Sequence, residues 1–178
     1  MLIKEIPEGV TILMDLRDEI LEAYHTDNLL QVLCNFSCTE RDQISELLVE
    51  LHNSGQIDLL EQYMQLRNDP EKPSKFFSIR HLLEIALPRL NAEVDQVMTC
   101  VHNLAIEAGQ DLAANSIYQS FVSFCEANPT RTEQALNLVK ESPTQFGDFI
   151  SSVVVAGTRY NLDFYLTEAI CLTDHVDI

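Results

Sequence analysis

The sequence predicts an all-α fold, and three observations predict it. Glycine is scarce, five in 178 residues. The β-branched residues do not alternate with polar ones at the period of two that a half-buried strand needs. Almost every segment instead repeats its apolar residues at three- and four-residue spacing, the period of an amphipathic helix. Two units are expected: a small helical bundle over 1–73 and a helical-hairpin region over 74–178.

Within the first unit, an extended lead ends at Pro7-Glu8-Gly9. A helix is expected from about Thr11 to His25, with Ile12, Leu13, Leu16, Ile20, Ala23 and Tyr24 on one side. Asp15, Asp18, Glu19 and Glu22 fall largely on the other. Asp27 is read as the N-cap of a short helix, Asn28 to Asn35, that buries Leu29, Leu30 and Leu33. Ser37 with Glu40, or Thr39 with Asp42, has capping-box spacing. The helix that follows turns Ile44, Leu47, Leu48 and Leu51 inward and stops at Gly55, a residue suited to the left-handed position past a helix end. Gln56 to Arg67 reads as its partner helix, burying Ile57, Leu60, Tyr63 and Met64.

The segment Asn68 to Ser74 (NDPEKPS) has two prolines, two acids and a lysine, and it is the expected border between the units. Beyond it the helices lengthen. Phe76 to Leu90 is apolar nearly all round, and Pro88 should kink or end it. Asn91 is expected to cap a helix that runs to Ala108 and ends at Gly109. Gln110 to Ala127 follows, with Ile117, Phe121, Val122 and Phe124 as its core. Asn128-Pro129-Thr130 closes it, and Thr130 with Glu133 opens the next. Ser142-Pro143-Thr144 places proline where its missing N–H does no harm. Phe146 to Ala156 and Asn161 to Leu172 form the last pair. The helices pair off at starts roughly 35 residues apart, the size of an α-solenoid repeat. TPR and ankyrin consensus residues are missing, which leaves an irregular HEAT-like solenoid or a second helical bundle. The sequence stops directly after an apolar helix, at LTDHVDI, and the expectation is a piece of a longer helical protein.

Composition narrows the function classes. Hydrophobic residues at 46% against 22% charged give a globular balance. No apolar run approaches the ~20 residues that span a bilayer, and MLIKEIPEGV lacks the apolar core of a signal peptide. No membrane partner is expected. The net charge is −17; residues 1–75 carry 6 basic against 15 acidic side chains, and 76–178 carry 5 against 13. Direct nucleic-acid binding is not expected, since phosphate neutralisation needs clustered Lys and Arg. A basic protein partner fits. Five cysteines without a CxxC pair read as reduced thiols, which places the chain in the cytoplasm.

No set of residues meets the demands of catalysis or of a cofactor. His81 and Glu84 share a helix face, but a metal site needs a second such pair opposite. Cys171 and His175 are four apart without a third group to orient them. Cys34 and Cys38 straddle an expected helix break, and Cys100 and His102 point to different faces. Phosphate-binding glycine loops and a G-x-S-x-G elbow are absent from the sequence. A non-enzymatic chain without metal or cofactor is expected.

LRDEILEAY (Leu16 to Tyr24), NLLQVL (Asn28 to Leu33) and above all LLVELHNSGQIDLLEQYMQLRNDPEKP (Leu47 to Pro73) resemble the bacterial effector-associated domains. These are death-fold-like small helical bundles. Their pattern is an L-x-x-A-[FY] opening helix, then a helix ending at a small residue plus glycine, a leucine-pair helix and an Asn/Pro-rich exit. Tyr24 stands at the aromatic position, Gly55 at the glycine, Leu59 and Leu60 at the leucine pair, and Asn68, Pro70 and Pro73 at the exit. The connection Asn35 to Gln43 is shorter than that family usually has, and the resemblance covers about a third of the chain. It implies homotypic pairing that joins a sensor to an effector in bacterial conflict or defence.

The expected function is therefore a protein–protein interaction adaptor or assembly module. Its candidate contact residues are Asp15, Asp18, Glu19, Glu22, Glu46 and Glu50, with Glu40 and Asp42 beside them, facing a basic helical surface. An acidic inhibitor or DNA mimic that binds a basic protein, and a helical regulatory region of a larger enzyme, are the alternatives.

Overall fold

The computed structural model describes residues 8–33, 40–67, 76–109 and 112–173. Among the described residues every regular element is helical and none is a strand, so the fold is all-α. The chain divides into two compact units, Met1–Leu83 and Glu84–Ile178. That division falls inside a helix. The expected border at Asn68 to Ser74 lies outside the described residues.

The N-terminal unit begins with α1 (Glu8–His25), followed by α2 (Leu29–Leu33), α3 (Arg41–Asn53) and α4 (Leu59–Arg67). α2 packs on α1 and α4. Ile20 and Ala23 of α1, Leu29 and Leu33 of α2, Ile44, Leu47, Leu48 and Leu51 of α3, and Leu60 and Tyr63 of α4 are buried, as their spacing predicts; Leu59 is buried as well, and Met64 is only half-buried. Two corners are made the same way. Past α3, the Gln56 N–H donates to the Leu51 carbonyl at 2.9 Å and the Gly55 N–H to the His52 carbonyl at 3.0 Å, with Gly55 at φ 77°. This is the Schellman closure, which needs a left-handed residue at its centre. Past α1, Asn28 N–H reaches the Ala23 carbonyl at 2.8 Å and Asp27 N–H the Tyr24 carbonyl at 3.3 Å, with Asp27 at φ 55°. Asp27 is thus not the N-cap of α2. It terminates α1 in the place a glycine usually takes.

Two other starts in this unit differ from expectation. α1 begins at Glu8, ahead of Thr11. α4 begins at Leu59, not Gln56, because Asp58 is its cap: Asp58 Oδ1 accepts from the Glu61 N–H at 3.0 Å. The residue before α3 is Glu40, whose side chain caps nothing; Ser37 and Thr39 lie outside the described residues.

α5 (Phe76–Ala86) carries the division between the units. It ends as expected ahead of Pro88, in a 3₁₀ turn over Leu87–Arg89, and Leu90 is extended. In the C-terminal unit, α6 (Val94–Ala108), α7 (Leu112–Glu126), α8 (Pro129–Glu141), short α9 (Pro143–Phe146) and α10 (Ile150–Thr173) follow. α7 packs against α6, α8 and α10 and forms the centre of this unit. Its Ile117, Phe121, Val122, Phe124 and Cys125 are buried. α9 and the 3₁₀ turn Gly147–Phe149 deliver Phe146 and Phe149 to that core; the Phe121 and Phe149 rings meet edge to face at 4.9 Å.

Caps again differ in detail. Asn91 does not cap α6; Glu93 holds that position without a side-chain bond, and Val94 begins the helix. Gly109 ends it at φ 72°, as expected. Asn128 is the N-cap of α8, its side chain accepting from the Thr130 N–H at 3.0 Å with Pro129 next, so Thr130 is not the opening residue. Ser142 makes no side-chain cap; its carbonyl accepts from Gln145 and Phe146. Arg131 ties the corner together, donating to the Phe124 carbonyl at 3.0 Å and the Leu90 carbonyl at 3.3 Å while its guanidinium lies 4.0 Å over the Phe124 ring.

α10 is two helices joined at Asn161, where φ −154° and ψ 90° leave the helical region. The Asn161 side chain accepts from the Phe164 N–H at 3.2 Å and caps the second part. This is the helix start expected at Asn161, with the first part running further than Ala156.

Candidate functional site

The candidate residues lie on α1 and α3 of the N-terminal unit. Asp15, Asp18, Glu19 and Glu22 are exposed, at i, i+3, i+4 and i+7, so their carboxylates form one stripe along α1. Among the described residues none of the four forms an ion pair. Glu46 and Glu50 are exposed on α3, one turn apart. Arg17 of α1 forms an ion pair with Glu50. At about 100° per residue, Arg17 lies some 150° around α1 from the middle of the acidic stripe. The acids therefore form two strips on different sides of α1. Glu50 is partly neutralised, by a pair exposed enough to contribute only ~0–1 kcal/mol. Arg17 in this role was not legible in the sequence, since nothing in the residue spacing tells which face of α1 meets α3.

The motif residues of the same unit are held in position. The Tyr24 hydroxyl accepts from the Asp58 N–H at 3.3 Å, and His52 Nδ1 accepts from the Leu59 N–H at 3.1 Å. Two of the amides that open α4 are thereby bonded from α1 and α3. Leu59 and Leu60 are buried at 2% and 4% exposure. Asn68, Pro70 and Pro73 lie outside the described residues.

Of the candidate chemical residues, Glu84 and Cys100 are described in detail. Glu84 Oε2 accepts from the Ser116 hydroxyl at 3.4 Å, and the Glu84 carbonyl from Ser120 at 2.9 Å, which ties α5 to α7. Cys100 is buried, and burial pushes its thiol far up, away from the nucleophilic thiolate. Cys171 is exposed, while His175, Cys34 and Cys38 lie outside the described residues. Among the described residues no three His, Cys, Asp or Glu side chains converge as metal ligands, and no helix is long and apolar enough to cross a membrane. The C-terminal unit has an open groove of about 400 Å³ between the start of α6 and α8, lined by Glu93, Asp95, Gln134, Asn137 and Glu141. Its two walls lie about 40 residues apart in the chain, so sequence spacing did not reveal it.

Compared with protein-family models, curated proteins and solved structures, the chain shows no significant match to any of them.

Proposed function

We propose that the chain is a non-catalytic protein–protein interaction module and that the α1 stripe of its N-terminal unit docks on a basic helical surface. The observation that carries this reading is the set of four exposed carboxylates Asp15, Asp18, Glu19 and Glu22 on one helix face, without an ion pair among the described residues. Like charges at i, i+3 and i+4 cost a helix ~0.2–0.5 kcal/mol per pair. A basic partner removes that cost and gains charge complementarity, which sets register and partner choice. Glu46 and Glu50 add a second, weaker contact strip.

The resemblance to effector-associated domains gives this module a context, homotypic pairing in bacterial defence, with the second unit as a HEAT-like or bundled support. The use of Tyr24, Gly55, Leu59 and Leu60 at the α3–α4 corner supports it. The test is a binding titration of the full chain against a basic death-fold domain. The charge reversal Asp18→Lys with Glu22→Lys is expected to weaken binding at least ~10-fold, and raising salt from about 0.05 to 0.5 M to weaken it further. Binding that is indifferent to both sinks the proposal.

A further inference from the structure

The last part of α10 buries fewer side chains than its first part, where Ser152, Val153 and Ala156 are buried. On the near side of Asn161, Tyr160 donates to the Glu126 carbonyl and Arg159 pairs with the Glu126 carboxylate at 3.5 Å, so the chain is pinned to the end of α7. On the far side, Tyr165 is the single buried side chain among the described residues 162–172, at 4% exposure. Leu162, Leu166 and Ile170 are 53%, 44% and 62% exposed. The Tyr165 ring rests on Gly157, where an added Cβ would overlap its ring carbons. Residues 157 and 165 would stand about 12 Å apart along a straight helix, so only the bend at Asn161 brings them together. One ion pair, Lys140 to Glu168, adds a tether to α8. The segment also carries its own N-cap, Asn161, and does not depend on its seat for that bond.

We propose that residues 162–173 form a hinged strap, latched by Tyr165 on Gly157, that swings out at Asn161 while the rest of the C-terminal unit stays folded. A segment with one buried anchor opens at lower free energy than the core helices it rests on, and a pinned near side confines the movement to the hinge. Opening uncovers Gly157 and frees the Tyr165 ring beside the apolar stripe Leu162, Leu166 and Ile170. The strap therefore sets how much apolar surface the unit presents.

Native-state hydrogen exchange of the full chain, read by mass spectrometry, tests this. Peptides from 162–173 are expected to exchange at least ~10-fold faster than those from α6 and α7, and Gly157→Ala to speed the strap another ~10-fold while α7 keeps its wild-type rate. Tyr165→Ala is expected to speed the strap similarly. Adding Gly157→Ala to Tyr165→Ala is then expected to change little, because the overlap is gone. Exchange of the strap at the rate of α7 overturns the proposal. So does equal acceleration of α7 by Gly157→Ala, or an unchanged effect of Gly157→Ala in the Tyr165→Ala background.

Discussion

The Tyr24 hydroxyl accepts a hydrogen bond from the Asp58 N–H at 3.3 Å, across 34 positions of sequence. It fixes the end of α1 to the residue that caps α4, while the Asp58 side chain bonds the Glu61 N–H. Removing the hydroxyl in Tyr24→Phe is expected to cost ~0.5–1.5 kcal/mol. Removing the cap in Asp58→Ala is expected to cost about 1 kcal/mol. Urea denaturation read separately for the two units locates both losses; they belong to the N-terminal unit.

Two left-handed residues close helices in that unit, and they predict opposite responses. No heavy atom lies within 4 Å of where a methyl group on Gly55 would sit, so space is not limiting. Gly55→Ala should still destabilise by ~1–2 kcal/mol through its φ of 77°. Asp27 holds φ 55° with a side chain present. Asp27→Gly is expected to stabilise by ~0.5–1 kcal/mol, since glycine relieves the strain at some entropic cost. Thermal melts of the two variants decide; a stabilised Gly55→Ala or a clearly destabilised Asp27→Gly contradicts the assignment.

Arg131 makes two hydrogen bonds to carbonyls and stacks on Phe124. Arg131→Met keeps much of the stem and leaves both carbonyls without their donor, so a loss of ~1.5–3 kcal/mol is expected. Arg131→Lys should recover only part of it, because an ammonium lacks the planar fork that reaches Phe124 and Leu90 together. Denaturant midpoints of the three proteins test the order.

Alkaline pH should unfold the C-terminal unit early. Burial first, then Glu126, pushes the Cys125 thiol from 9.0 up to about 12, with Arg131 opposing. The Tyr118 and Tyr165 hydroxyls are pushed up too, again mainly by burial. A raised folded-state value means the native chain holds its proton longer than the unfolded one. The stability from Cys125 is therefore fully present below pH 9.0 and is lost as pH rises toward about 12. Stability measured by urea at pH 8, 9, 10 and 11 should fall, with Cys125 contributing up to ~1.4 kcal/mol per pH unit above its unfolded value. Cys125→Ala should flatten that slope; an unchanged slope refutes this account of Cys125.

How far the sequence went is best seen at particular residues. Ile44, Leu47, Leu48 and Leu51 were legible because burial follows the helical period. Gly55 was legible because few residues take a left-handed corner cheaply. Asn91 misled because local cap preference is weak against packing: α6 starts where Val94, Val97 and Met98 enter the core. Asp27 misled because an aspartate suits both a cap and a left-handed corner, and the Ala23 carbonyl decided between them. The acidic stripe on α1 was legible from one helix alone. The Arg17–Glu50 pair and the Gly157–Tyr165 seat were not, since each depends on where a second helix or a bend puts its partner.

The α3–α4 corner has a consequence for the order of folding. Its closing bonds, Gly55 to His52 and Gln56 to Leu51, span three and five residues. Loops this short close in at most ~10–100 ns and lose little chain entropy in doing so. The Tyr24 to Asp58 bond spans 34. The corner is therefore expected to close before α1, with its row of carboxylates, is docked; φ-values higher at Leu51 than at Ile20 would bear this out.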